Sequence, residues 1–347
     1  MIVQVGPYPE PIGGISIYIK RMKQYMDLLG MKNEVWDLNR IEKHKEKVLQ
    51  VRLRYVPFKY LFRKDIQIIH YNLCGIRPKV YISIFNKIFF AKRKKIITVH
   101  GDCKETLKNN KRKLVKALNS FDAIICVKVG DAAQLESSGV TKPIYEVPAF
   151  LFPLKEGEGD IPEYILNFIE SKDFVISANA SSIQFHNDID LYGIDMCIDL
   201  VIGLKKKGLN IGMVFCLPHV DNDVYYRKLM TSIDTNIIED NFLFVHEQME
   251  LWPIIKKSDL FIRPTNYDGY GVSIAEAIQQ SIPAIASDVC ERPEGTIVFK
   301  SRDSKDLYNK TMDVIYNYNS YKNRIKDIQY EDNSKKILDI YDRIINT

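Results

Sequence analysis

No two of the six cysteines (Cys74, Cys103, Cys126, Cys197, Cys216 and Cys290) stand in a C-x-x-C spacing. That absence leaves neither a zinc knuckle nor a dithiol redox motif, and the six read as thiols of a reducing compartment. Long apolar runs are missing as well. The most apolar stretch, Val80 to Ala91, is 12 residues long and carries Asn86 and Lys87. A membrane-spanning helix takes about 20 apolar residues. Ile2-Val3-Gln4-Val5-Gly6 reads as a buried strand, not as the basic start and apolar core of a secretory leader. The expectation is a cytoplasmic chain that does not cross a membrane. There is no low-complexity segment and no internal repeat. No G-x-G-x-x-G follows the first strand, which argues against a dinucleotide oxidoreductase. His44, His70, His186, His219 and His246 show no metal-ligand spacing and read as core or surface residues.

What is present is an ordinary globular composition, 46% hydrophobic over 347 residues. At roughly 100–200 residues per domain, that length predicts two domains. The net charge of +5 conceals a split. Residues 1–150 hold 28 Lys and Arg against 13 Asp and Glu, a net of +15, and the remainder carries −10. Halves of opposite sign point to different partners.

Strands and helices alternate along the chain. Strands are expected at Ile2–Val5, Ile66–His70, Ile96–Val99, Ala123–Val127 and Ile144–Val147. Helices are expected at Gly14–Leu29, Lys79–Ala91 and near Gly130–Ser137, the first with Ile15, Tyr18, Ile19, Met22, Met26 and Leu29 on one stripe. Strand runs of Val and Ile without polar alternation suit a parallel sheet covered on both faces. Pro148 to Pro162 holds three prolines and the turn-prone Glu156-Gly157-Glu158-Gly159-Asp160, and reads as a linker. A second series follows, with strands at Phe174–Ile176, Ile211–Phe215, Phe242–Val245, Leu260–Ile262 and Ala284–Ala286. The fold class is therefore α/β, with two Rossmann-like doubly wound domains facing across a cleft. The first spans 1–155 and the second 165–330. Residues 331–347 read as a last helix packing back on the first domain. Ligands of such sheets bind at the carboxyl ends of the strands.

Two basic stretches of the first half interleave cations with apolar residues. Lys43 to Lys64 includes Arg52, Arg54, Lys59 and Arg63 among Leu53, Tyr55, Phe58, Leu61 and Phe62. Lys87 to Lys95 sets Phe89 and Phe90 beside Lys92-Arg93-Lys94-Lys95. Each reads as a helix with a core-facing stripe and a solvated basic face. The domain total adds a second reading, an anionic membrane surface or a diphosphate-linked lipid. No nucleic-acid module is recognisable, so nucleic acid is not an expected partner.

The segment richest in chemistry runs from Phe261 to Phe299, FIRPTNYDGYGVSIAEAIQQSIPAIASDVCERPEGTIVF. A strand ends at Arg263-Pro264-Thr265, a loop holds Asp268-Gly269-Tyr270-Gly271, and a helix begins near Val272-Ser273 and carries Glu276. Glycines ahead of a helix let the backbone approach a ligand, and free amides with the helix dipole favour an anion such as a diphosphate. A carboxylate such as Glu276 accepts two hydrogen bonds from vicinal hydroxyls.

Asp268 and Glu276, with seven residues between them, resemble the paired-acid signature of family-four retaining glycosyltransferases. The loop usual in that family reads Glu-Gly-Phe-Gly where this chain has Asp-Gly-Tyr-Gly. Ile282-Pro283-Ala284-Ile285-Ala286-Ser287-Asp288 resembles the family's next strand. Pro11-Ile12-Gly13-Gly14-Ile15-Ser16 resembles its glycine loop, Thr98-Val99-His100-Gly101-Asp102 its His-Gly pair, and Pro148-Ala149-Phe150 the end of its first domain. The resemblance implies the GT-B fold and a retaining hexosyltransferase-type enzyme. Its donor would be a UDP- or GDP-linked sugar, with no cofactor and no metal. It also implies a glycan acceptor, lipid-linked, in the assembly of lipopolysaccharide or capsule, at the inner face of the cell membrane. Carried over, Glu276 binds the donor ribose and Asp268 the donor sugar. Gly13 and Gly14 serve the phosphate, as do Gly269, Tyr270, Gly271 and Val272. His100 contacts the sugar or its leaving phosphate.

One departure stands out. The family places an Arg and a Lys early in the second domain to hold the diphosphate, and the equivalent here reads Asp190-Leu191-Tyr192-Gly193-Ile194-Asp195. From Ala178 to Gly193 there is no Lys or Arg. A departing nucleoside diphosphate needs positive charge or dipoles aimed at it, and Arg263, with Arg292 second, is the expected substitute. Two other classes remain open. One is a sugar-nucleotide epimerase of the same fold. The other is a non-catalytic nucleotide-sugar or membrane-binding component of a polysaccharide assembly.

Overall fold

The computed structural model describes residues 1–39, 47–89, 93–101, 103–154 and 161–346. His44 with its neighbours at 43–46, Phe90, Lys92, Asp102 and the Glu156–Asp160 turn lie outside the described residues. The chain divides into two compact units, one of Met1–Leu154 with Asp332–Thr347, the other of Lys155–Glu331.

The first unit runs β1 (Ile2–Gly6), α1 (Gly14–Leu28), β2 (Asn33–Asp37), β3 (Val48–Gln50), α2 (Val56–Phe62), β4 (Ile68–Asn72) and α3 (Ile76–Phe89). It continues with β5 (Lys94–Val99), α4 (Cys103–Leu118), β6 (Ala123–Cys126), α5 (Asp131–Ser137) and β7 (Ile144–Glu146). Its seven strands are all parallel, in the order β3-β2-β1-β4-β5-β6-β7. Alternate strand residues feed two apolar layers, because successive side chains of a strand point to opposite faces. Val3, Val5, Ile69, Tyr71, Ile97 and Ile124 pack with α2, α3, α4 and α5. Ile2, Ile68, Ile96, Ala123 and Ile125 pack with Tyr18, Ile19, Met22 and Met26 of α1.

The second unit runs α6 (Glu163–Glu170), β8 (Phe174–Asn179), the hairpin strands β9 (Phe185–His186) and β10 (Ile189–Asp190), α7 (Ile194–Lys206), β11 (Ile211–Cys216) and α8 (Asp223–Thr235). Then come β12 (Phe242–Val245), α9 (Trp252–Lys256), β13 (Leu260–Arg263), α10 (Val272–Gln279), β14 (Ala284–Ser287), β15 (Ile297–Phe299), α11 (Ser304–Tyr316) and α12 (Tyr318–Lys326). Its six-stranded parallel sheet has the order β12-β11-β8-β13-β14-β15. The last helix, α13 (Asn333–Asn346), sets Ile337, Ile340, Tyr341 and Ile344 into the α1 layer of the first unit. The expected α/β architecture of two doubly wound parallel sheets holds.

Several local expectations need correcting. Strands β2, β3 and β15, the short hairpin and helix α4 were not foreseen. Leu29 closes α1 from outside the helix and is 52% exposed, so it is not on the core stripe. Lys79–Ala91 begins three residues earlier, at Ile76, and Ile66–His70 begins two later, at Ile68. The basic stretch ending at Lys64 is not one amphipathic helix. It breaks into β3, a single 3-10 turn at Leu53–Tyr55, and α2, which opens on Val56-Pro57. Proline fits the first turn of a helix and not its interior, so the helix cannot extend back through Pro57.

Candidate active site

In a doubly wound sheet, ligands bind where the strand order reverses. In the second unit that point lies between β8 and β13, the first strands of the two diverging halves. The loops that follow these two strands meet there. Asn266 donates its backbone N–H to Leu191 O at 2.9 Å. Gly193, at φ +68, is so close to the acid loop that a Cβ on it would lie 2.5 Å from Pro264 O. The His186 and Tyr267 rings stack at 4.8 Å, joining the hairpin to the same loop.

Asp268 is the hub of the acid loop. Arg263 donates Nε to Oδ2 at 2.5 Å and Nη2 to Oδ1 at 3.0 Å. Arg292 donates Nη1 to Oδ2 at 2.6 Å, Gly269 its N–H to Oδ1 at 2.9 Å, and the Thr265 hydroxyl reaches Oδ2 at 3.4 Å. A carboxylate offers about four lone-pair sites, and these donors fill them. Burial alone would raise the Asp268 carboxyl. The charge and hydrogen bonds of Arg263, then of Arg292, outweigh it and hold the group well below the usual carboxylate range. Arg263 in turn is held charged: burial opposes its charge, and Asp268 more than offsets that. Two guanidiniums on one carboxylate leave the cluster one positive charge in excess.

The arginines are fixed from behind. Arg292 has a side chain 2% exposed and donates Nε to Ser287 O at 2.8 Å and Nη2 to Ser287 Oγ at 3.0 Å and Thr265 Oγ1 at 3.2 Å. The Ser287 hydroxyl is tied to Thr265 O at 2.5 Å. Arg263 Nη1 is 3.4 Å from Ser273 Oγ in the first turn of α10. Gly271 caps that helix at φ +84, and a Cβ there would lie 2.6 Å from Ile274 Cδ1 and 3.1 Å from Arg292 Nη1. Gly269 has open space about it. Glu276 is 5% exposed on α10, one turn past Val272 and Ser273, and Tyr270 is half-buried. Thus Arg263, Asp268, Gly269, Gly271 and Arg292 form one cluster, with Tyr270, Val272 and Glu276 on the same loop and helix. Sequence reading missed Thr265, Ser273 and Ser287, whose hydroxyls position the arginines. Nothing in the sequence distinguishes Thr265 and Ser287 from other residues at strand ends, or Ser273 from others in the first turn of a helix.

The departure near Asp190 has a structural counterpart. The Asp190 carboxylate occupies the start of α7, with Oδ1 accepting from Tyr192 N at 3.0 Å and Gly193 N at 3.1 Å. Its Oδ2 accepts from Ile194 N at 2.8 Å and from the Tyr225 hydroxyl at 3.2 Å. Asp195 pairs with Arg302 through both carboxylate oxygens. The helix start that would otherwise receive an anion already holds one.

In the first unit the switch point is between β1 and β4. Gly13 caps α1 in extended conformation, and its N–H donates to Ser16 Oγ at 2.9 Å. A Cβ at Gly13 or Gly14 would meet no other part of the described residues within 4 Å, its chain neighbours and own helix backbone aside. His100 follows β5 and donates Nε2 to Asn72 Oδ1 at 2.9 Å, with the Tyr18 ring edge-on at 5.1 Å. Burial, with smaller contributions from His70 and Lys79, lowers the His100 imidazole to about 3, so it is neutral at physiological pH.

Residues 186–329, all within the second unit, match the family model described as glycosyl transferases group 1. No curated protein matches the sequence. Among solved structures, the chain is similar to a glycosyltransferase from Rickettsia africae, with a TM-score of 0.72 and 12% identity over 99% of this chain and 98% of that one. It is similar to sucrose-phosphate synthase from Thermosynechococcus elongatus at TM-score 0.70 and 14% identity, covering 99% of both chains. It is also similar to Anabaena Alr3699/HepE in complex with UDP-glucose, at TM-score 0.70 and 14% identity, covering 100% of this chain and 98% of that one. At such identities the likeness is one of fold, the two-sheet GT-B plan.

Proposed function

We propose that the chain transfers a sugar from a nucleoside-diphosphate sugar to a hydroxyl of a glycan acceptor, with retention at the anomeric carbon and without a metal. The observation that carries this is the Arg263–Asp268–Arg292 cluster, which sets a net positive charge beside the start of α10 at the sheet's switch point. The family match over the same residues supports it, and the UDP-glucose complex of a similar fold makes UDP the first base to try. Arg263 and Arg292 take the place of the absent Arg and Lys, and Asp268 aims them. Asp268 reaches the donor sugar only by releasing one of its present donors. Glu276 holds the ribose, and the phosphate and sugar roles of Gly13, Gly14 and His100 rest on the family resemblance of their loops.

In the reaction the anomeric C–O bond to the phosphate breaks and a C–O bond to the acceptor forms on the same face. The acceptor proton passes to the departing phosphate oxygen. Catalysis is then placement and charge stabilisation, the two largest levers available without a covalent intermediate. The acceptor in this reading is a lipid-linked glycan of surface polysaccharide assembly.

The test is calorimetry with UDP, GDP, ADP and CMP, in EDTA, on the wild-type chain and on Glu276→Ala. One nucleotide should bind, and bind at least tenfold more weakly to the variant. If the folded protein binds none of them, the non-catalytic reading replaces this one.

A further inference from the structure

The face of the first unit formed by α2, α3 and α4 has a composition that its sheet does not require. All three helices pack inward on one side of the seven-stranded sheet, with α3 against both neighbours. Among the described residues, two kinds dominate their outward side. The first is cationic: from Lys47 to Phe121 the sequence holds 19 Lys and Arg, of which Lys79 and Lys95 are buried, against three acids, Asp65, Asp102 and Glu105. Asp65 is paired with Arg63. On α4, Lys104, Lys108, Lys111, Arg112, Lys113 and Lys116 are all exposed. The second kind is apolar and protruding. Phe62 is 80% exposed, Phe58 53% and Tyr55 50% on and before α2, and Ile84 of α3 is 52% exposed. Phe58 leans edge-on against Phe85 at 6.0 Å, which joins α2 to α3 under this surface.

We propose that this face docks on an anionic lipid bilayer, with the lysines and arginines of α2 to α4 on the headgroups and the Phe58–Phe62 end of α2 in the headgroup–acyl boundary. Solvent exposure of two phenylalanines on one short helix is unfavourable unless something apolar covers them. A predominantly cationic surround selects an occupant that is both apolar and anionic. Nucleic acid satisfies the charge but offers the aliphatic Leu61 and Ile84 nothing to bury against, since its outer surface is phosphate and sugar. The inference is independent of the donor site and of turnover.

The experiment is co-sedimentation of the full chain with vesicles. Equal parts of phosphatidylglycerol and phosphatidylcholine are compared with phosphatidylcholine alone, each at low salt and at roughly 0.5 M NaCl, where exposed charges are largely screened. The wild type should bind the anionic vesicles at least tenfold more tightly than the neutral ones, and lose most of that binding in salt. Lys108→Glu with Lys111→Glu should abolish the preference. Phe58→Ser with Phe62→Ser should weaken anionic binding at least threefold while leaving it salt-sensitive. All four positions are exposed, and an unchanged melting temperature checks that the variants are folded. Equal binding to both vesicle types, binding untouched by either pair of changes, or tighter binding to a duplex oligonucleotide than to anionic vesicles each overturns the proposal.

Discussion

His70 and Tyr341, 271 positions apart in the chain, share a hydrogen bond of 2.5 Å between the imidazole Nδ1 and the phenol oxygen. The second ring nitrogen, Nε2, meets Thr98 Oγ1 at 2.7 Å. Both ring nitrogens are thereby satisfied inside a dry layer. Asn333 adds a bond from its amide to Phe150 O at 2.8 Å. Together they fasten α13 onto the sheet it closes. Tyr341→Phe removes one partner and strands a buried imidazole nitrogen, so unfolding free energy should fall by about 1–3 kcal/mol. A chemical denaturation midpoint unchanged by this substitution would mean the contact is not made in solution.

The same histidine makes stability depend on pH. Burial lowers His70 to about 3, and His100 likewise, whereas an unfolded histidine titrates near 6.5. The unfolded chain therefore binds more protons below pH 6.5, and stability falls as pH drops from about 6.5 towards 3. Above pH 7 these residues impose no pH dependence. At pH 5.5 each costs about 1.4 kcal/mol relative to pH 7.5. His70→Gln should lower stability at pH 7.5 but flatten the fall between 7.5 and 5.5 by about that amount. Denaturant curves at the two pH values decide it, and an identical slope in the variant would remove His70 from the account.

The glycines of the two loops separate structural need from ligand need. Gly271 has positive φ and crowded surroundings, so Gly271→Ala should cost stability as well as function. Gly14 is different. It is the first residue of α1, and a methyl group there meets none of the other described residues within 4 Å, its own helix backbone and chain neighbours aside. Gly14→Ala should leave the fold intact, or stabilise it by up to about 1 kcal/mol through helix propensity. If the backbone at Gly14 lies against a phosphate, the same substitution should lower kcat/KM at least tenfold with no loss in Tm. Full activity in Gly14→Ala would show that this amide does not contact the donor.

The contrast between these residues marks what a sequence discloses. The buried strands were legible because apolar runs such as Ile211–Cys216 are buried throughout and show no polar alternation. Strand β2 escaped because Asn33, Glu34 and Asp37 dilute its apolar run. Helix α4 escaped because its buried side consists of little more than Cys103, Leu114, Ala117 and Leu118, under a surface of lysines. In the candidate site, the acids and glycines were legible from order and spacing along the chain. The engagement of Asp268 by two arginines was not, since Arg292 arrives from 24 positions away on a different loop. Nor was the Asp190 carboxylate at the start of α7, which depends on a hairpin of two-residue strands.

Arg263 and Arg292 hold the same carboxylate yet should fail differently when removed. Arg292 is nearly sealed, with a side chain 2% exposed and bonds to Ser287, Thr265 and Asp268. Arg292→Ala strands those partners and breaks a buried ion pair, so it should cost about 3–5 kcal/mol of stability. Arg263 is 16% exposed at the mouth of the acid loop, and Asp268 keeps a second cation without it. Its removal should therefore be milder for the fold and severe for turnover. With the donor identified by calorimetry, Arg263→Ala should lower kcat/KM by about 100- to 1,000-fold, the loss typical of one charge-stabilising donor. Arg263→Lys should recover little, because an ammonium cannot span both oxygens of Asp268. Comparing nucleoside diphosphate with free nucleoside separates the mechanism from a general weakening. In Arg263→Ala the nucleoside should bind as before, while the diphosphate loses the affinity that its charge added. Equal losses for both ligands would place the defect in the fold of the loop, and full turnover in Arg263→Ala would end the case for this residue as the replacement cation.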